Sequence, residues 1–309
     1  MGIILFSNSW AKPLKKQFVL KGIELSRIYK SMEGPTQTHV GLDFGLKDSP
    51  FIWVTKMTVE VLDADKKIDS QEFVCHAVFK YPDKTNGNAS LGISQGLKTI
   101  HFPPGHGIKI ANNKKDMFLQ AQALNNNHPN IKKTIHIRFT FEYYSDQVAK
   151  KLKIKPLKMK FLGSLCPFKE NRVSPGCDPV YPKYHHTTPS GKKMTDHWWV
   201  PPGRHEYRTI QEGELAIQEN MKVHYAWMHL HPYGQSIELR RVGGKKPLWK
   251  GMAQNNSKMA ILEKVDAYSS KDGFNLYKGQ QYELVMTYDN PRKKSIDAMG
   301  FLYMYYSPL

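Results

Sequence analysis

Apolar residues along this chain recur at every second position, while the three-and-four spacing of an amphipathic helix is almost absent. The clearest run lies over 134–144. There Ile135, Ile137, Phe139, Phe141 and Tyr143 fall on one face, with His136, Arg138, Thr140 and Glu142 on the other, as in a half-buried antiparallel strand. Related patterning predicts strands over 52–61, 72–81, 116–124, 221–231, 235–242, 281–288 and 298–306. With Gly, Pro and Asn turns between them, these segments predict an all-β chain of two tandem antiparallel β-sandwich, jelly-roll-like domains. Alternation lapses where two cysteines, several prolines and His185-His186 cluster. The expected division is a first sandwich over 1–165, a loop-rich junction over 166–193 and a second sandwich over 194–309.

A length of 309 residues suits two domains that each bury their own core. No run approaches the roughly 18 apolar residues of a membrane-spanning helix, so no transmembrane segment is expected. Lys and Arg total 45 against 27 Asp and Glu, a formal charge of +18. That balance suits an acidic partner, such as nucleic acid or an anionic surface. The densest basic stretch, 150–160, alternates Lys with apolar residues as a solvated strand edge or linker does, and lacks base-stacking aromatics. Nucleic acid is therefore not the expected partner. At the amino terminus, Met1 to Phe6 is too short for a signal core, and Ser9-Trp10-Ala11 faintly resembles the end of a cleaved leader. Cys166 and Cys177 bracket a short loop and suit a local disulfide, which implies an oxidising compartment; two free thiols are the alternative.

Thirteen histidines make any single His-x-His pair weak evidence by itself. His229-Leu230-His231 gains from its place on a strand, because Val223, Tyr225, Trp227, His229 and His231 alternate onto one inward row. Residues i and i+2 lie roughly 6.5 Å apart along a strand, within reach of one metal ion. The competing reading is a hydrogen-bonded core pair beside the Pro232-Tyr233-Gly234 turn. Zinc and copper both accept imidazole, but closed zinc-site cysteine pairs are missing, and a thioether would favour copper. His224 falls on the opposite face and reads as a packing or supporting group. His101, His106 and His128 flank turns, and His205 lies near the same region. No phosphate-binding glycine loop and no Gly-x-Ser-x-Gly elbow occurs.

Three stretches occur in order through the carboxy-terminal third: Val200-Pro201-Pro202-Gly203, then His229-Leu230-His231 with Pro232-Tyr233-Gly234, then Asp297-Ala298-Met299 leading into Phe301 to Tyr306. Together they resemble the second catalytic domain of the copper type II, ascorbate-dependent monooxygenases. The resemblance implies one copper ion on His229, His231 and Met299, which with O2 and an external reductant would hydroxylate a C–H bond of a small-molecule or peptide substrate. The candidate disulfide and the leader-like Ser9-Trp10-Ala11 set the expected location as periplasmic or secreted. The electron-supplying copper site of that family fits less well. The corresponding stretches hold Cys75-His76 and Gln122, so only His76 remains as a candidate imidazole ligand and a second ion is doubtful. Two other readings stand beside the enzyme: a non-catalytic copper storage or delivery protein, and a metal-free basic module that binds an anionic envelope surface.

Overall fold

A computed structural model describes residues 12–29, 31–83, 87–169, 176–188 and 190–309; the candidate leader remnant at Ser9-Trp10-Ala11 lies outside them. The first half comprises β1 (Leu14–Leu25), β2 (Thr36–Val40), β3 (Phe51–Leu62), β4 (Val74–Asp83), β5 (Gly87–Ser94), β6 (Thr99–His101), β7 (His106–Ala111), β8 (Phe118–Ala123), β9 (Lys133–Ser145), the short helix α1 (Asp146–Lys151) and β10 (Lys155–Pro156). The second comprises β11 (Lys158–Gly163), β12 (Cys166–Pro167), β13 (His186–Thr187), β14 (Lys193–Thr195), β15 (Trp198–Val200), β16 (Gly203–Ile210), β17 (Met221–Leu230), β18 (Gly234–Arg241), β19 (Trp249–Asn255), β20 (Leu262–Val265), β21 (Ala267–Leu276), β22 (Tyr282–Asn290), β23 (Ile296–Ala298) and β24 (Gly300–Pro308).

Both halves wind the same way. In the first, one sheet runs β1-β9-β3-β7-β10, with β6 also on β3, and faces a sheet ordered β2-β8-β4-β5. In the second, β11-β24-β17-β21 faces β16-β22-β18-β19-β20. Each half thus pairs its first strand with a late one, β1 with β9 and β11 with β24, and opens the facing sheet with a similar early–late pair, β2 with β8 and β16 with β22, as in a jelly roll. The alternating residues of β9 meet the expectation, since Ile135, Ile137, Phe139, Phe141 and Tyr143 are all buried. Phe44 and Phe79 pack edge-on against Phe141, with ring centroids 5.4 and 5.0 Å away.

The chain crosses between sandwiches through one residue. Lys155 and Pro156 pair in parallel with His106 and Gly107 of β7, whereas Lys158 begins the edge strand that pairs with β24, so only buried Leu157 lies between. The basic stretch 150–160 is thus the end of α1, a short strand and the start of an edge strand. The interval 166–193 carries a small sheet, β12-β14-β13, and the Cys166–Cys177 disulfide, with Cα atoms 5.9 Å apart. Among the described residues no helix is long and apolar enough to cross a membrane.

What positions the site is the way the sandwiches dock. On β17, Ala226, Met228 and Leu230 face the second core. A Cβ added at Gly251 of β19 would touch Met228 Sδ at 3.1 Å, and one at Gly234 of β18 would touch Leu230. The alternate residues Tyr225, Trp227 and His229, with their β24 partners Tyr305, Tyr303 and Phe301, therefore face the first sandwich. Phe102 packs against Tyr225 and Tyr305, whose hydroxyls donate to the carbonyls of Thr99 and Ser90. The row expected to point into its own core points into the interface between sandwiches. It also excludes Val223. A bulge at His224 pairs Val223 with Tyr306 but Tyr225 with Tyr305, so the strand switches its facing there, and His224, expected on the face opposite His229, instead meets His106 of the first sandwich.

Candidate metal centre

His229 is the next-to-last residue of β17 and His231 follows directly after the strand's end, at the start of a tight turn. Two features fix that turn. Tyr233 adopts a positive φ of 73°, and Asn255 bridges it, accepting from Tyr233 N–H at 2.6 Å and donating to the Gly234 carbonyl at 2.8 Å. Both imidazoles are buried, their rings stand nearly perpendicular, and their centroids lie 5.3 Å apart. Met299 occupies the step between β23 and β24 and is half-buried. Gly300 follows it in close contact with the second core, where a Cβ would meet Met286 Sδ at 2.1 Å.

Tyr288 joins the His229–His231 turn to the Asp297–Met299 stretch. Its fully buried hydroxyl accepts from His231 N–H at 2.9 Å and from Met299 N–H at 3.3 Å, and donates to the Met299 carbonyl at 2.8 Å. One phenol oxygen thereby sets the backbone spacing between the His-x-His strand end and the Asp-x-Met stretch. Strand patterning holds no sign of this clamp, since Tyr288 is one aromatic among many on a predicted strand.

His76 reaches the same place from the first sandwich. It lies on β4 and lines, with Cys75, Met32, His229, His231, and Met299, a cavity of about 200 Å³ between the sandwiches. Burial, with Lys80 and His231 adding to it, brings the His76 imidazole down to about 4. Burial and the neighbouring imidazoles hold His229 well below the ordinary histidine value as well. Both rings are therefore neutral at pH 7 and present bare nitrogens, the form that binds metal. Cys75 occupies a bulge in β4, and burial pushes its thiol up to about 12, which keeps it protonated. Gln122 is committed elsewhere: its amide donates to the carbonyls of Met32 and Gly34.

On the other side of His231 stand His197 and Ser31, which no strand pattern or motif singles out, and Asp297 of the Asp-x-Met stretch. β15 pairs with β23, so Trp199 lies opposite Asp297 and His197 enters just before the pair. His231 Nδ1 lies 3.4 Å from Asp297 Oδ1, and the His197 and His231 rings are 5.2 Å apart. Ligand atoms of His197, His231 and Asp297 all fall within 4.8 Å of one another. Burial works to raise the Asp297 carboxyl, but the adjacent His231 imidazole, with His197 and the Ser31 hydroxyl, outweighs it and holds the group below the usual carboxylate range. A signal for His197 existed in its position directly before the Trp198-Trp199-Val200-Pro201-Pro202-Gly203 stretch.

No protein-family model and no curated protein matches the chain. Among solved structures, the cowpea mosaic virus top component, naturally occurring empty particles, aligns over 100% of this chain and 95% of its own at 7% identity and a TM-score of 0.34. The PBCV-1 virus capsid aligns over 96% and 94% at 8% identity and the same TM-score. Likenesses this distant say nothing about what the histidine cluster does.

The donor chemistry suits copper. Imidazole and thioether together form a soft-to-borderline set that accommodates both Cu(I) and Cu(II). Two imidazoles bound to one ion at about 2.0–2.1 Å have ring centroids roughly 4.5–5.5 Å apart. The 5.3 Å between His229 and His231 falls in that range.

Proposed function

We propose that the protein binds one copper ion between its sandwiches through His229, His231 and Met299, with His76 as a further donor from the opposite wall, and works as a monooxygenase-like oxidoreductase. The observation that carries this reading is that these four side chains, from three stretches far apart in sequence, line one cavity. Copper, when bound, supplies one-electron redox chemistry toward O2 for hydroxylating a C–H bond. The chain's own residues do the rest. Burial keeps His229 neutral, Asp297 orients the His231 ring through Nδ1, and Tyr288 fixes His231 relative to Met299. A second cavity of about 390 Å³, lined by Trp199, Tyr233, Arg292 and Ile296 among others, opens beside His231 and offers room for an organic substrate. The Cys166–Cys177 disulfide suits a secreted or periplasmic setting.

One observation favours a copper holder without turnover. Where the resembling enzymes keep a second, electron-supplying copper, Cys75 is a protonated buried thiol and Gln122 is occupied by backbone carbonyls. Both electrons of an oxygenation would then come from an external reductant. Copper analysis of the reconstituted protein tests the shared part: one ion per chain is expected, lost in His229→Ala and weakened in Met299→Ala. Failure of the wild-type chain to retain copper would sink the proposal. Ascorbate-driven O2 consumption separates enzyme from holder.

A further inference from the structure

The two imidazoles on the outer side of the cluster are arranged alike. His231 Nδ1 faces Asp297 at 3.4 Å, and His197 Nδ1 faces Asp196 at 3.7 Å. Their Nε2 atoms converge on a single hydroxyl, Ser31 Oγ of the first sandwich, at 3.4 Å and 3.2 Å. Ser31, His197 and His231 are 9%, 5% and 8% exposed. The surroundings hold all three in place. Tyr181 donates its hydroxyl to the Ser31 carbonyl and packs edge-on against His197, and Val180 N–H donates to the His197 carbonyl. Tyr181 belongs to the segment that the Cys166–Cys177 bridge ties down.

A carboxylate beside each Nδ1 leaves Nε2 as the nitrogen that each ring turns toward a common point, and with Asp297 the ligand atoms of His197 and His231 all fall within 4.8 Å of one another. Carboxylate behind Nδ1 with a free Nε2 in front is also the usual disposition of a metal-bound histidine. The 5.2 Å between ring centroids nearly equals that of the His229–His231 pair.

We infer that His197 is a ligand of the same ion as His231, giving the centre a third imidazole supplied by the segment before β15, with Ser31 as the group the ion displaces. This inference rests on the reading that His231 binds copper. Asp196 and Asp297 are its positioning residues, and the 390 Å³ cavity that Ser31 and His231 line is the route of entry.

The test uses the full-length chain loaded with Cu(II), with affinity measured by chelator competition and nitrogen ligands counted by pulsed EPR. His197→Ala should weaken binding at least about a hundredfold and remove one strongly coupled nitrogen. Ser31→Ala, which leaves every ligand in place, should bind as tightly as wild type or tighter, and serves as the folding control for this corner. Loss of copper in His229→Ala with unchanged affinity and nitrogen count in His197→Ala would overturn the inference and leave the copper proposal standing. Loss in His197→Ala, with no effect of His229→Ala or Met299→Ala, would do the reverse. A wild-type chain that binds no copper overturns both.

Discussion

Strand β17 carries a buried histidine pair near each end, and the two pairs differ in what faces their nitrogens. Near its start, His224 meets His106 of the first sandwich with ring centroids 4.1 Å apart. His224 Nδ1 faces the Ser270 carbonyl at 3.2 Å and Nε2 the Ser307 hydroxyl at 3.0 Å, while His106 Nδ1 faces the Pro104 carbonyl at 3.3 Å. These partners are neutral and point apart. Past its end, His231 and His197 are backed by carboxylates and aim their remaining nitrogens at one point. Both pairs are imidazoles at the same domain interface. The partners, rather than the residue type, make one a packing contact and the other a candidate ligand set.

Removing the carboxylate should erase most of that difference. Asp297→Asn keeps the shape but loses the charge that orients His231, and copper affinity is expected to fall about tenfold to a hundredfold. Substituting Ser307 by Ala beside the other pair should leave copper binding unchanged, and equal effects in a competition titration would collapse the comparison. Tyr288→Phe ranks next. It leaves the His231 N–H and both Met299 backbone groups short of a partner, at a cost of about 1–3 kcal/mol measurable by urea unfolding.

The smallest effect concerns pH. Burial, with His224 adding to it for His106, lowers both members of the neutral pair below the ordinary value. The native state therefore takes up these protons later than the unfolded chain as pH falls. Their stabilisation is full above about pH 6.5 and declines below it. Lys155 faces both rings and Lys222 faces His224, so nearby charge reinforces the sign. His76 and His229 share the window, so the informative quantity is a difference: His106→Gln should soften the fall in urea midpoint between pH 7 and pH 5. An unchanged slope would remove the pair from the account.

Much of the architecture was legible because period-two patterning survives wherever one face of a strand is buried. Strand β9 was expected over 134–144 and spans Lys133–Ser145, and β3, β8, β17, β18 and β22 fall equally close. Strand β1 was not read, since Lys15, Lys16 and Gln17 open it and a bulge between Leu20 and Ile23 breaks its alternation. At the site, His229, His231, Met299 and His76 were visible through strand position and motif order. His197 and Ser31 were not, because their meaning comes from β15 lying on β23 and from a loop of the other sandwich. No local pattern encodes such contacts.

The bulge at His224 sets the phase of its strand. Before it, Val223 shares a face with Tyr306; after it, Tyr225, Trp227 and His229 share one with Tyr305, Tyr303 and Phe301. One inserted residue decouples the two ends of a continuous strand, so the start can change its facing without disturbing the finish. A deletion between residues 225 and 229 has no such buffer. It would rotate every side chain that follows by half a turn, exchanging His229 for Leu230 at the cavity wall. Position 224 is therefore where this strand can absorb a change of length, and the five residues after it are where it cannot.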